Sequence, residues 1–242
     1  MISLKSISKN KLGPPRIIFY GPPGVGKSTI ACSTPNPVVI DIEHGLAGID
    51  VNKFDDVMTY DDVMQAIRTL ATEDHDFRTV VIDTLDWLET LVWEKTCSRL
   101  KVASIEQPGY GKGYIEASKE WEKLFEALNV LRETKNMIIV FTAHSQVTKF
   151  EDPLSNPYDT YSLKVHKRAA AKAEEYSDII AFCNFRVFTS TEKDRTIGMT
   201  TGERIMRLVG SPAYTAKNRY SLPGELALSW EALIAEINKG AK

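Results

Sequence analysis

The stretch RIIFYGPPGVGKST, residues 16–29, decides the architecture of this chain. Arg16 to Tyr20 is a short apolar run that reads as a buried strand. It leads directly into Gly, four residues, Gly-Lys-Ser, the pattern of a phosphate cradle set between a strand and a helix. Gly21, Gly24 and Gly26 let the backbone curl so that successive N–H groups point inward at phosphate oxygens, and the following helix adds its positive N-terminal end. Pro22, Pro23, Val25 and Thr29 complete the loop. Lys27 brings a mobile ammonium to the β and γ phosphates, and the Ser28 hydroxyl is the expected ligand of Mg²⁺. The motif therefore calls for ATP with Mg²⁺.

A phosphate loop of this kind needs an acid at the end of a neighbouring strand, and TVVIDT supplies Asp83, expected in the Mg²⁺ shell. Hydrolysis also needs a group that orients or deprotonates water. VVIDIEHG places Glu43 just beyond the next strand in sequence, and Glu43 is the candidate general base. Asp41, two residues earlier, is the competing choice and is expected to finish the strand.

Working outward, apolar runs alternate with amphipathic stretches, the signature of a mostly parallel sheet flanked by helices. Strands are expected at Arg16 to Tyr20, Pro37 to Asp41, Thr79 to Asp83, Met137 to Ala143, Asp178 to Thr189 and Arg204 to Val209. Val63, Ile67 and Leu70 share one helical face. Trp121, Leu124, Phe125, Leu128 and Leu131 form a longer core stripe, and Trp230, Leu233, Ile234 and Ile237 a short closing helix. Two segments, 102–114 and 145–162, are rich in Gly, Pro, Asn, Asp and Tyr and read as long irregular loops, the kind that carry function.

At 242 residues the chain is expected to form one α/β domain, residues 1–242, preceded by an N-terminal extension at 1–14. Hydrophobic content of 43% and charged content of 26% argue against disorder. A net charge of -2 provides no global field for nucleic acid or anionic membrane, so any DNA contact has to be local. Lys5, Lys9 and Lys11 read as a solvated tail. Cys32, Cys97 and Cys183 lack metal-ligand spacing and fit buried thiols in a reducing compartment. With no signal peptide and no run of about 18 apolar residues, the expected location is the cytoplasm, with no membrane partner.

Three further motifs carry a resemblance. Ile40-Asp41-Ile42-Glu43-His44 resembles the end of the second core strand in the RecA family; FTAHSQVTK looks like the Gly-His-Val-Thr-Lys stretch of bacterial RadA; and Ala216-Lys217-Asn218-Arg219-Tyr220 is similar to the Lys-Asn-Arg-Phe motif of RadA and the Lys-x-Arg fingers of DnaB-type helicases. The likeness covers nearly the whole chain and is strongest to the short, core-only phage RecA-like single-strand annealing proteins. The Pro22-Pro23 pair and Val25 depart from the usual RecA loop.

The resemblance implies a RecA-like P-loop core in which Glu43 is the catalytic glutamate, His144 senses the γ-phosphate, and Lys217 and Arg219 reach a neighbouring subunit's nucleotide. It also implies self-assembly as a ring or filament, single-stranded DNA as partner with a single-strand-binding protein as a further candidate, and host cytoplasm if phage-encoded. Tyr110, Lys112 and Tyr114 in the first loop and Lys149 in the second are then the candidate DNA contacts, by stacking and phosphate pairing. A mobile surface loop with locally packed tyrosines is an equal reading of the first segment. Lys164, Lys167 and Arg168 face DNA, a subunit interface or solvent, with the interface favoured.

Two other function classes compete with an annealing protein. One is a ring-forming helicase-like motor or loader. The other is a monomeric nucleotide switch or kinase without DNA, weakened by the lack of an Asn-Lys-x-Asp motif after a late strand and of arginine between Ser145 and Ser162.

Overall fold

The computed structural model describes residues 13–192 and 195–240; Lys5, Lys9 and Lys11 lie outside them. The elements follow in the order β1 (Arg16–Gly21), α1 (Lys27–Cys32), β2 (Pro37–Asp41), β3 (Asn52–Phe54), α2 (Tyr60–Thr72), β4 (Thr79–Asp83), α3 (Leu85–Leu100) and α4 (Lys112–Thr134). Then come β5 (Ile138–Phe150), β6 (Tyr158–Leu163), α5 (Lys167–Tyr176), β7 (Ile179–Glu192), β8 (Arg195–Arg207), β9 (Lys217–Asn218), β10 (Glu225–Ala227) and α6 (Trp230–Gly240).

One twisted sheet runs β10-β8-β7-β1-β5-β4-β2-β3. The pairings from β7 through β3 are parallel, and β8 and β10 extend the sheet antiparallel on the far side of β7. Period-two alternation splits the core into two layers. Ile18, Tyr20, Ile40, Ile82 and Phe141 pack under α2, α3, α4 and α5. Ile17, Phe19, Val39, Val81 and Val140 face the opposite way, against α1 and α6. Strands apolar on both faces are what a parallel sheet covered by helices requires, and the chain is α/β as the sequence predicts.

The segment 145–162 differs from expectation. β5 does not stop at Ala143 but runs on to Phe150 and pairs antiparallel with β6, from Ser145↔Leu163 to Phe150↔Tyr158. Its polar, mixed-charge composition hides a half-exposed hairpin in which Val147, Phe150, Tyr158 and Tyr161 are spaced among polar residues, with the turn confined to the Pro- and Asn-containing tip. β7 and β8 are likewise one long hairpin, longer than the two strands read from their apolar cores.

Residues 102–111 form the turn-rich connection between α3 and α4, as expected, but the end of the segment is helical. Lys112 and Tyr114 belong to the first turn of α4. An added Cβ at Gly113 would lie 1.8 Å from the Ile105 carbonyl oxygen, so this glycine serves close packing within the chain, not approach to a ligand. Tyr114 stacks on His166, ring centroids 4.0 Å apart, and meets Trp93 edge-on.

His166 caps α5, and its backbone N–H donates to both carboxylate oxygens of Glu89 on α3, at 3.0 and 2.9 Å. Burial pushes the Glu89 carboxyl up to about 7; the His166 hydrogen bond opposes the shift and the Asp86 charge adds to it. A carboxyl raised in the folded state favours folding while protonated. Its contribution is complete below the unfolded value near 4.3 and is lost as pH rises through about 7. Glu89→Gln keeps an acceptor for His166 and removes the ionisation. It is expected to be more stable than wild type by about 1–3 kcal/mol at pH 8, with the gap closing below about pH 5 in urea unfolding.

Candidate functional site

β1 ends wedged between two parallel neighbours, with Gly21 opposite His144 on β5 and Tyr20 opposite Phe182 on β7. The wedge is tight: a Cβ at Gly21 would sit 2.0 Å from the carbonyl oxygen of Cys183. The chain then leaves the sheet through Gly24 and Gly26, both at positive φ (76° and 104°), and Gly26 caps α1. Val25 is buried in the second core layer, so the loop is anchored from beneath. Lys27 is only 6% exposed; its Nζ donates to the carbonyls of Gly21 and Pro22 at 3.1 and 3.0 Å. Burial lowers its pKa, while the charges of Glu43, Asp83 and Asp86 pull the other way.

A cavity of about 350 Å³ opens above this loop, lined among others by Pro23, Gly24, Gly26, Lys27, Ser28, Thr29, Glu43, Asp83, Thr84, His144 and Arg204. Asp83 ends β4 and is 2% exposed, hydrogen-bonded by the Thr142 hydroxyl. Burial raises its carboxyl, partly offset by the Thr142 and Ser28 hydroxyls. Its backbone oxygen accepts the amides of Ile42 and Glu43 at 2.9 and 3.1 Å, so the segment after β2 is pulled across the sheet edge and Glu43 is delivered into the cavity. Asp41 goes elsewhere: it is buried and ion-paired with Lys53 at 3.1 Å. Burial raises the Glu43 carboxyl, His144 opposes the shift, and Asp83 and Asp86 add to it.

His144 Nε2 stands 3.9 Å from Glu43 Oε1. Its Nδ1 is 2.8 Å from Asp86 Oδ2, and its backbone N–H donates to Asp86 Oδ1 at 3.0 Å. Asp86 thus grips ring and backbone of the same residue, and a proton on Nδ1 leaves Nε2 facing the cavity. Burial pushes Asp86 up, but the hydrogen bonds from His144 outweigh it and the carboxyl is lowered. Sequence reasoning missed Asp86. Its only signal is its place in the first turn of α3, where an acid is ordinary for the helix dipole alone.

The other candidates lie apart from the cavity. Lys217 lies in β9 and Arg219 follows it directly; β9 pairs with the start of β7. Arg219 Nη1 is 2.9 Å from Asp178, which also accepts from Arg16, and Lys217 Nζ donates to the Glu174 carbonyl at 2.5 Å. They sit at the Arg16 end of β1, about 17 Å of strand from Gly21, and cannot reach the phosphate loop of their own chain. Tyr110 is fully exposed. Lys112 borders a separate apolar pocket with Leu100, Val102, Pro108 and Ile115. Tyr114, held by His166 and Trp93, is not a free platform. Lys149 is exposed on the hairpin, opposite Asp159. Lys164, Lys167 and Arg168 are exposed at and before the start of α5, where the Lys164 amide donates to the His144 carbonyl.

The donor set suits Mg²⁺ brought in with phosphates. Among the described residues no cluster of three or more His, Cys, Asp or Glu is arranged to hold a metal. Mg²⁺ takes few protein ligands and keeps substrate oxygens and water, and Ser28 and Asp83 provide one hydroxyl and one carboxylate. The Thr84 hydroxyl beside them is buried with no hydrogen bond of good geometry, only a looser contact to Asp86, which leaves it able to take a water or phosphate oxygen.

A parallel sheet, a glycine loop closing on a helix and an acid at the end of β4 define a P-loop nucleotide-binding domain. No curated protein matches the chain. Residues 13–220 match the family described as AAA domain, and the chain belongs to that family of P-loop ATPase-type domains. No described helix is long and apolar enough to cross a membrane.

Gly21→Ala must force β1 and β7 apart, with a cost of about 1–3 kcal/mol or more in urea unfolding and weakened ADP binding.

Proposed function

We propose that this chain is a Mg²⁺-dependent ATPase that assembles with copies of itself on single-stranded DNA and promotes annealing or recombination. The observation that carries the reading is the path from the cavity to the hairpin: His144 lines the cavity, and the next residue, Ser145, begins the β5–β6 pairing. That hairpin presents Val147, Lys149, Phe150, Leu154 and Tyr161 to solvent. Apolar and aromatic side chains beside a lysine are a sequence-tolerant surface for unpaired bases and backbone. A change at the γ-phosphate therefore has a short, rigid route to this surface.

In hydrolysis, Glu43 takes the proton of the water attacking the γ-phosphate, and Lys27 turns from the loop carbonyls to the β and γ oxygens. His144, held in register by Asp86, lines the γ-phosphate end of the cavity and donates Nε2–H to a γ oxygen when the ring carries a proton on both nitrogens. Mg²⁺, when bound on Ser28 and Asp83, neutralises phosphate charge. Lys217 and Arg219 complete a neighbour's site, since charge building on the γ-phosphate is stabilised only once the subunits dock.

A guanine-nucleotide switch fits less well. The tetrapeptide Asn52-Lys53-Phe54-Asp55 has the spacing of a guanine-reading motif, but it lies at the edge strand β3, four strands or about 19 Å from β1, with Lys53 committed to Asp41. A helicase-like ring motor would share the chemistry of the site, and unwinding of a forked duplex would favour it over annealing.

Two measurements test this reading. Glu43→Gln is expected to lower ATP turnover about 10²–10⁴-fold while ATP binding persists. Because the base works ionised and its pKa is raised, the wild-type rate climbs with pH along an acid limb above the ordinary glutamate value near 4.3, and Glu43→Gln lacks that limb. The rate per subunit is expected to rise with protein concentration and with single-stranded DNA, and to lose that rise in Arg219→Ala. A rate indifferent to concentration, DNA and Arg219 would defeat assembly.

A further inference from the structure

Asp83, Glu43 and His144 reach the cavity from β4, the end of β2 and β5, all on one side of β1. That side holds the acids for metal and water, so it takes the γ end of a triphosphate. The nucleoside end then leaves toward β7, β8 and β10. One cation enters from there. Arg204 on β8 lines the same cavity, and its Nη1 lies 3.1 Å from the position a Cβ would take on Gly26.

The arginines around it show why this one differs. Arg186 is bound to Glu203 and Glu225 at 2.7 and 2.5 Å, and Arg207 to Glu225 at 3.1 Å. Arg204 makes no ion pair among the described residues. It stands opposite Phe185 in the β7–β8 register, with its guanidinium carbon 5.8 Å from that ring centroid. Leu228, just past β10, donates its amide to the Arg204 carbonyl at 3.0 Å and brings Cδ2 within 3.7 Å of the same Gly26 position. An aromatic ring below, an aliphatic side chain beside it and a phosphate cradle in front leave the guanidinium without a carboxylate and aimed at an anion site.

We propose that Arg204 and Leu228 form the nucleoside-side wall of the site, the guanidinium holding the phosphate next to the ribose and Leu228 packing against the nucleoside. The assignment rests on the nucleotide-site reading above and adds a contact made by the chain to its own ligand, independent of any neighbour. A phosphate shared by ADP and ATP is held equally in both. Loss of one charge-assisted contact is therefore expected to weaken ADP and ATP by the same factor, about tenfold to a hundredfold.

The experiment is calorimetric titration of the full chain with ADP and with ATP in Mg²⁺ buffer, for wild type, Arg204→Met and Arg204→Lys. Arg204→Met is expected to lose affinity for both nucleotides in parallel, and Arg204→Lys to recover most of it. Arg204→Gln gives the same parallel loss and serves in place of Arg204→Met should that variant melt early without nucleotide. Wild-type affinity for ADP in Arg204→Met, or a loss confined to ATP, overturns the proposal while leaving the nucleotide site standing. A folded wild type that binds neither nucleotide overturns both.

Discussion

The geometry of the site depends on the wedging of β1 between β5 and β7 at Gly21. A residue with a side chain has no room against the Cys183 carbonyl, so the strand end is held by two neighbours while the chain beyond it is free to curl. Three consequences follow from that one contact. The loop leaves the sheet through Gly24 and Gly26 at positive φ, His144 is brought beside the loop through its pairing with Gly21, and the β7–β8 hairpin is fixed close enough for Arg204 to lean over Gly26. Burial of Cys183 pushes its thiol up to about 12, so the residue behind the loop stays neutral and acts as packing.

Around this frame the charges are arranged in mutual opposition. Asp83, Asp86 and Glu43 share a small space with one ammonium, and burial raises Asp83 and Glu43 while lowering Lys27. Of these three carboxylates Asp86 alone is lowered, because His144 donates to it. The arrangement separates the three by environment: one carboxylate is lowered by a histidine, one is raised and faces the cavity, and one is raised by burial beside hydroxyls.

The parallel core was legible because its strands are continuous apolar runs, and the loop because its glycines and lysine have few other uses. The place of Glu43 in the cavity was reachable from its position after a strand, and what sets it apart from Asp41 is something a sequence does not display, the capture of two amides by the Asp83 carbonyl. The β5–β6 hairpin and the full length of β7 and β8 were illegible for one shared reason. Half-exposed antiparallel strands carry polar residues on one face, and here Lys, Glu, Asp and Pro blur the alternation. Asp86 and Arg204 were hidden differently: each is an unremarkable charge at its own position, and only the fold brings one to His144 and the other to Gly26.

Lys217 and Arg219 pose the sharpest energetic question. Both are engaged within their own chain, and an arginine taken from a buried carboxylate normally leaves a costly unpaired charge behind. Asp178 is protected against that loss. It accepts from the Arg16 amide, Nε and Nη2 at 3.1, 3.0 and 2.8 Å, so it remains a paired, hydrogen-bonded anion if Arg219 departs. Arg219, about half exposed, gives up a screened interaction with an acid that already has a bidentate partner. Transfer to a neighbour's γ-phosphate would exchange that contact for a charge-assisted one in a site closed to water, a favourable trade only when two subunits meet. With Arg16 also on Asp178, release of Arg219, as the proposed finger role requires, would leave no unpaired buried carboxylate behind.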